Sequence, residues 1–264
     1  MSRALPVRLA APPAWAWSLL GLSVVAAAWT LVTNLGWFSE TYLPSPQRLG
    51  GELLTLIERG YRGAPLYEHI GISLWRTLSG FAVGVLLGVP LGLFTGHSRT
   101  AGAVLEPLVA FLRPIPPIAF IPMAVLYFGL GETGKIVLIA FTAFNYAQVN
   151  AHAGAAGVPD AYLRAAHSMG LSQRQIFWRV IVPAAVPQIF TGLKVAMALS
   201  WAVVVAAELV GAQRGIGFMI SDAAQMFRIP VVFIGIACIG VIGLLLNFAL
   251  NALQRHLVHW ERHA

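Results

Sequence analysis

Charge is what this sequence has least of. Only 10% of its 264 residues are Asp, Glu, Lys or Arg, and 58% are hydrophobic. Soluble domains carry about 25% charged residues. The deficit excludes an ordinary soluble core and points to a chain that crosses a membrane several times. Cysteine is almost absent as well. Cys238 stands alone in an apolar run, so no internal disulfide and no cysteine-rich metal site is available. The seven histidines show no ligand spacing; His256, His259 and His263 fall together in a basic tail suited to solvent and lipid headgroups. The net charge of +7 would suggest nucleic acid in a soluble protein. In a chain this apolar it reflects basic loops on one membrane face.

What the sequence does have is long apolar runs. Six spans of about 20 residues are expected near 14–35, 72–95, 104–128, 135–152, 188–209 and 230–253. Residues 1–12 are basic and Ala-rich. The run after them is too long for a signal h-region and shows no small-x-small cleavage site, so it reads as a retained first span. Residues 37–70 are polar and punctuated by Pro and Gly, with a short amphipathic helix expected over Gln47–Arg59. With the N-terminus inside, Arg3, Arg8, Arg99, Arg164, Arg174, Arg179, Arg255 and Arg262 fall inside. Arg48, Arg59, Arg62, Lys135, Arg214 and Arg228 fall outside. Eight against six agrees with the positive-inside rule by a small margin.

The second span places Gly80, Gly84, Gly88, Gly92 and Gly96 one turn apart. Such a stripe lets membrane helices approach closely. Packing within the chain is the plainer reading and a subunit contact the other. The third span carries Arg113, Pro114, Pro116, Pro117 and Pro122. Each interior proline deletes a hydrogen bond, so this span must break. A broken backbone at membrane depth needs cover from protein or a watery cavity. Arg113 is an ionisable group at that depth, lining a path, paired, for instance with Glu106, or snorkelling toward the interface. In the fourth span Asn145, Tyr146, Gln148 and Asn150 are path-lining groups or interhelical hydrogen bonds. Glu208 closes the fifth span, and the glycines at 211, 215 and 217 make the next external segment a gate or a packed loop.

Gly129–Ile136, GLGETGKI, nearly fits the phosphate-loop pattern G-x-x-x-x-G-K-[ST]. Ile136 offers no hydroxyl to Mg²⁺ and the flanks are membrane-length runs, so a tight loop between spans is expected.

The longest polar stretch between apolar runs is Asp160–Pro183, DAYLRAAHSMGLSQRQIFWRVIVP. It reads as two short helices with a break. Pro159 suits a helix start and Asp160 its first turn, where it can pair with Arg164. Tyr162, Ala165, Ala166 and Met169 form one apolar stripe, with Arg164, His167 and Ser168 on another face. Gly170 ends the first helix in a left-handed cap. Ser172 and Gln175 then make a capping box. Ile176, Phe177 and Val180 continue an apolar face, and Pro183 and Pro187 are expected to stop it.

Arg164-Ala165-Ala166, Gly170 and Ile181-Val182-Pro183 resemble the EAA loop of ABC importer permeases. Two departures are Arg164, where that family usually has Glu, and Val182 before the proline. The run at Arg113–Pro117, GLGETGK at Gly129–Lys135, Ala207-Glu208-Leu209, Arg214–Met219, and Ala252–Arg255 with Trp260 are similar to the taurine, aliphatic-sulfonate and nitrate branch, nearest the taurine permeases. The resemblance implies an all-α polytopic membrane protein with the type I (MetI-like) importer fold and six transmembrane helices. Residues 1–71 would carry the first helix and an external extension. Residues 72–264 would be the permease core, with a coupling loop at about 153–187.

The resemblance further implies a pore subunit without catalysis or bound cofactor of its own, ATP and Mg²⁺ belonging to a partner. Two ABC ATPases would grip the knob at Asp160, Arg164, Ala165, Ala166, His167, Gly170, Ser172, Gln173 and Arg174. A homodimer in the bacterial inner membrane, both termini cytoplasmic, would line its path with Arg113, Pro114, Pro116, Asn145, Gln148 and Glu208. A periplasmic binding protein would deliver taurine, another sulfonate or nitrate; lipid is the other neighbour and nucleic acid is excluded. A gradient-driven secondary transporter is the rival class, although its inverted Gly/Pro repeats are not seen, and a small channel is a second rival.

Overall fold

The computed structural model describes residues 14–258. Arg3, Arg8, His259, Trp260, Glu261, Arg262 and His263, on which the orientation and tail readings partly rest, lie outside them. The described chain is built of helices: α1 (Ala14–Asn34), α2 (Pro46–Glu58), α3 (Leu66–His97), α4 (Arg99–Leu112), α5 (Ile121–Phe128), α6 (Glu132–Ala156), α7 (Asp160–Ser168), α8 (Gln173–Ile176), α9 (Val182–Gly211), α10 (Ile216–Gln225) and α11 (Ile229–Leu257).

Four segments are long and apolar enough to cross a membrane: Trp15–Asn34, Leu66–His97, Gln173–Gly211 and Ile229–Leu257. A fifth crossing exists if α4 and the segment Pro117–Phe128, bent by 82° at their junction, count as one. The remaining expected span is α6. Its 25 residues reach about 37 Å, but Asn145, Gln148, Asn150 and His152 dilute its apolarity. It can carry them because it packs between α3 and α9, where protein rather than lipid covers it.

The glycine stripe explains the tightest contact. It faces α6, where Ile139, Ala143, Ala147, Ala151 and Ala155 recur at the same four-residue spacing. A Cβ on Gly84 would stand 2.4 Å from the Ala140 carbonyl oxygen, and one on Gly92 2.4 Å from that of Gln148. Neither space exists, so the two backbones touch along the helix pair. The stripe therefore packs within the chain. Each glycine meets the residue 59 positions on, so α3 and α6 run parallel and α4–α5 returns between them.

Two apolar cores sit at opposite ends of the bundle. One joins Leu93, Ala151, Ala155, Ala166, Ile176, Ile181, Ala185 and Ile189, and so ties α3, α6 and α9 to the knob. The other gathers Leu56, Tyr61, Ile139, Val204, Ile216, Met219 and Val231 from α2, α6, α9, α10 and α11.

Three local expectations meet a correction. α3 starts at Leu66, earlier than 72, so the residues just before the expected span are already helical. Pro183 and Pro187 do not stop the helix after the knob: Pro183 occupies the first turn of α9 and Pro187 lies inside it. Before them Phe177–Ile181 forms a π turn, whose wider ring makes room next to a residue with no N–H to donate. Finally, of the stripe on α7 only Ala166 is buried; Tyr162, Ala165 and Met169 face outward.

Candidate functional site

Three places in the bundle hold unusual chemistry. The first lies at the end away from the knob. Arg76, one turn above Gly80 on α3, is 3% exposed. Its Nε and one terminal nitrogen donate to the two Glu132 oxygens at 2.5 and 2.6 Å. The other terminal nitrogen donates to Glu208 at 2.7 Å and to the Arg214 carbonyl at 2.8 Å. Glu208 also accepts from the Ser73 hydroxyl at 2.8 Å and from the Gly217 N–H at 2.8 Å. Ser73 accepts from the Ile216 N–H at 2.9 Å. Buried His69 bridges the Tyr61 carbonyl and Gly215. Gly215 has φ +124°, and a Cβ there would lie 2.4 Å from the Glu208 carboxyl carbon, so the turn into α10 requires glycine. A buried carboxylate needs this many donors to stay charged. The turn after α9 is thus a packed loop held by Glu208. Glu208, expected along the path, is closed off by these partners and braces the interior.

Beside this network Trp75, Arg76, Glu132, Lys135, Gln213 and Arg214 line an open cavity of about 660 Å³. Lys135 settles the phosphate-loop question. Its ammonium donates to the Leu130 and Gly131 carbonyls at 2.9 and 3.2 Å, and it lies 3.4 Å from Glu132. The lysine closes its own loop and does not reach out to a phosphate.

The second place is the break between α4 and α5. Arg113 is the C-terminal cap of α4, and the turn at Pro116 closes through the Ala119 N–H. Pro114 and Pro116 are exposed. No hydrogen bond or ion pair joins Arg113 to any described residue, Glu106 included, so the pairing alternative is not realised. Arg113 stands between two cavities. One, about 110 Å³, is lined by Leu112, Ile115, Pro117, Asn145 and Tyr146. The other, about 120 Å³, runs toward the knob past Glu106, Gln148 and His152. Asn145 donates to the Phe141 carbonyl at 2.9 Å, its own preceding turn. Asn150 accepts from Gln188 at 3.1 Å, so it is an interhelical bond to α9.

The third place is the knob. Gly170 has φ +75°, and the Leu171 N–H returns to the Ala166 carbonyl at 3.1 Å, the closure of a Schellman cap. Ser172 and Gln175 form the reciprocal capping box. Asp160, Arg164, Ala165, His167, Gly170, Ser172, Gln173 and Arg174 are all exposed, and no ion pair joins Asp160 to Arg164. Ala166 and Ile176 anchor the knob in the core below. Its outer surface mixes charge with the exposed apolar groups Tyr162, Met169 and Trp178, a composition suited to a protein partner.

Among the described residues, no group of three or more His, Cys, Asp or Glu is placed to hold a metal ion. A helical bundle with a kinked, proline-broken crossing, unpaired charge beside cavities, and a projecting polar knob defines a membrane transport subunit. Residues 88–263 match the model of the binding-protein-dependent transport system inner membrane component family, and the chain belongs to it. It is 40% identical to the taurine transport system permease protein of Escherichia coli (strain K12), over 91% of this chain and 88% of that one. It is 35% identical to a putative aliphatic sulfonates transport permease protein of Bacillus subtilis (strain 168), over 94% and 88%. It is 33% identical to the bicarbonate transport system permease protein of Synechococcus elongatus, over 91% and 87%. The inward-facing MetNI methionine ABC transporter shares the fold, with a TM-score of 0.64 at 19% identity over 73% of this chain and 95% of that one. These relatives are permeases, membrane pore components rather than enzymes.

The network of His69, Ser73, Arg76 and Glu132 around Glu208 is not evident in the sequence. Its one signal there is that Arg76 and Glu208 are charges set within apolar runs.

Proposed function

We propose that this chain is the pore-forming subunit of an ATP-driven importer for taurine or a closely related sulfonate. The observation that carries this reading is the 40% identity to the taurine permease along nearly the whole of both chains. Two copies would form the pore in the inner membrane, termini on the cytoplasmic side, with residues 72–264 as the core and 1–71 as an accessory segment. Two ATPase subunits would seat on the knob, through Asp160, Arg164, Ala165, His167, Gln173, Arg174 and the exposed Tyr162 and Met169. ATP and Mg²⁺ would bind there and not on this chain. A periplasmic binding protein would dock at the end that carries Arg76 and Glu132. ATP binding would draw the knobs together and open the path outward.

The path would run past the α4–α5 break, with Arg113, Pro114, Pro116, Asn145 and Gln148 along it. Arg113 supports an anionic cargo: a permanent guanidinium with no partner attracts sulfonate, though charge alone does not choose among small anions. The bicarbonate permease among the relatives fits the same logic and keeps other small anions as the second reading. Proteoliposomes holding the permease, its ATPase and the binding protein test both. Uptake of taurine that requires ATP and resists dissipation of ion gradients is the expected result. Uptake driven by a gradient without ATP would place the chain in the secondary-transporter class.

A further inference from the structure

Glu106 and Arg113 sit two turns apart on α4, about 10 Å along the axis, and both line the cavity of about 120 Å³ between α4, α3 and α6. Neither has a hydrogen-bond or ion-pair partner among the described residues. An unpaired carboxylate and an unpaired guanidinium on a membrane-crossing segment are costly unless a watery cavity or a ligand receives them. The facing wall, on α6, supplies an independent sign. Gln148 is 3% exposed, lines the same cavity, and its Oε1 has no hydrogen-bond partner.

The neighbouring bonds fix what that wall offers. The Thr95 hydroxyl donates to the Gly92 carbonyl at 3.1 Å. Its oxygen then accepts, from Gln148 Nε2 at 3.4 Å and from His152 Nδ1 at 3.0 Å. Turning the Gln148 amide over would still strand one end of it. The cavity therefore offers two acceptors on its knob side, the exposed Glu106 carboxylate and the buried Gln148 Oε1. It presents one cluster of donors, the Arg113 guanidinium, at the other end.

We propose that this cavity is a binding site for a small zwitterion, its ammonium held by Glu106 and Gln148 and its anionic head by Arg113. The proposal rests on the sulfonate reading above and sharpens it: the chain itself discriminates an amino-sulfonate from a plain alkyl sulfonate. A buried unpaired acceptor is satisfied by an ammonium and left stranded by a methyl group, and polar mismatches of this kind discriminate strongly.

The test is equilibrium binding of radiolabelled taurine and of ethanesulfonate, which lacks the amine. It uses the intact permease–ATPase complex in nanodiscs, without the binding protein. Wild type is expected to bind taurine at least tenfold more tightly than ethanesulfonate. Glu106→Gln should bring the two within about threefold by weakening taurine alone, Glu106→Asp should restore part of the preference, and Arg113→Gln should weaken both. Gln148→Met, with no acceptor, should narrow the preference in the same direction as Glu106→Gln. The melting temperature of each complex shows whether it is folded, and only folded variants are compared. Equal affinities in wild type, no taurine binding, or an unchanged preference in both Glu106→Gln and Gln148→Met would overturn the site. ATP-driven taurine uptake by the wild-type complex with its binding protein separates the two failures. If uptake is normal while the preference is absent, only this site is wrong. If no sulfonate is taken up, the transport reading has failed first.

Discussion

Arg76 and Glu208 meet at 2.7 Å in the interior although 132 residues separate them. The pair joins α3 to the end of α9, and Glu132 holds the other edge of the same guanidinium. Breaking a buried pair by removing one partner costs about 3–5 kcal/mol, because the other charge is left uncompensated. Glu208→Ala is expected to lower the melting temperature of the purified complex sharply. Arg76→Met with Glu208→Leu together should cost less than the sum of the single changes. A double-mutant cycle by thermal melting reads this directly; additive effects would show that the two charges are solvated separately.

The glycine stripe gives a second prediction with its own control. A Cβ at Gly88 would stand 2.7 Å from the Phe144 carbonyl oxygen, whereas Gly71 on the same helix has nothing within 4 Å. Gly88→Leu must push α3 away from α6 and is expected to abolish a stable complex in detergent. Gly71→Leu should melt like wild type. Equal melting of the two variants would refute the close approach.

At the knob the constraint is conformational. Nothing stands within 4 Å of a Cβ on Gly170, but its φ is +75°. A β-branched residue in that region is strained by about 1–3 kcal/mol, while asparagine tolerates it. Gly170→Val should insert into the membrane yet co-purify poorly with an ATPase partner and lose coupled uptake. Gly170→Asn should retain most of both. ATP-driven uptake at the wild-type rate by Gly170→Val would rule out a fixed knob geometry.

A polar clasp outside the spans sets a pH limit. Asp222 on α10 accepts from the Tyr61 hydroxyl at 2.6 Å and from Arg62 at 2.9 and 3.2 Å. The Arg62 hydrogen bond, chiefly, holds the Asp222 carboxyl below its ordinary 3.8. Burial first, and then Asp222, pushes the Tyr61 hydroxyl from 10.0 up to about 12. A depressed carboxylate stabilises the fold above its unfolded value, and that contribution fades as pH falls below about 4. A raised phenol stabilises below pH 10, and its contribution fades as pH climbs toward 12. Melting of the complex should therefore fall off at both extremes. Asp222→Asn should flatten the acid limb and lower stability at pH 7; an unchanged acid limb would show the clasp is not formed.

Legibility tracks the range of the interaction. The knob can be read almost residue by residue, because Gly170, Ser172 and Gln175 act through bonds three to five residues long. The stripe on α3 is plain because five glycines in register are unusual. Its partner stripe on α6, Ala143 to Ala155, is just as periodic but gives no signal, since alanine is ordinary in any helix. Arg113 is legible as a charge among prolines; its lack of a partner is not, since that depends on where Glu106 points. The outward turn of Tyr162 and Met169 runs against the apolar-face rule: no described residue covers them, and in the proposed assembly an ATPase subunit would. Pro183 and Pro187 mislead because a first-turn position and a π turn both accommodate proline. The Arg76–Glu208 contact has no local signal at all.

The fixed offset between α3 and α6 has a mechanical consequence. From Gly80 to Gly96 the two helices touch at every turn over about 24 Å, with only Ile139 and the methyl groups of Ala143, Ala147, Ala151 and Ala155 set against the glycines. Such a pair behaves as a stiff rod. Its lower end is gripped by the same core that anchors Ala166 and Ile176 of the knob, and its upper end carries Arg76 and Glu132. In the proposed assembly a displacement of the knob would be carried along this pair toward Arg76 and Glu132.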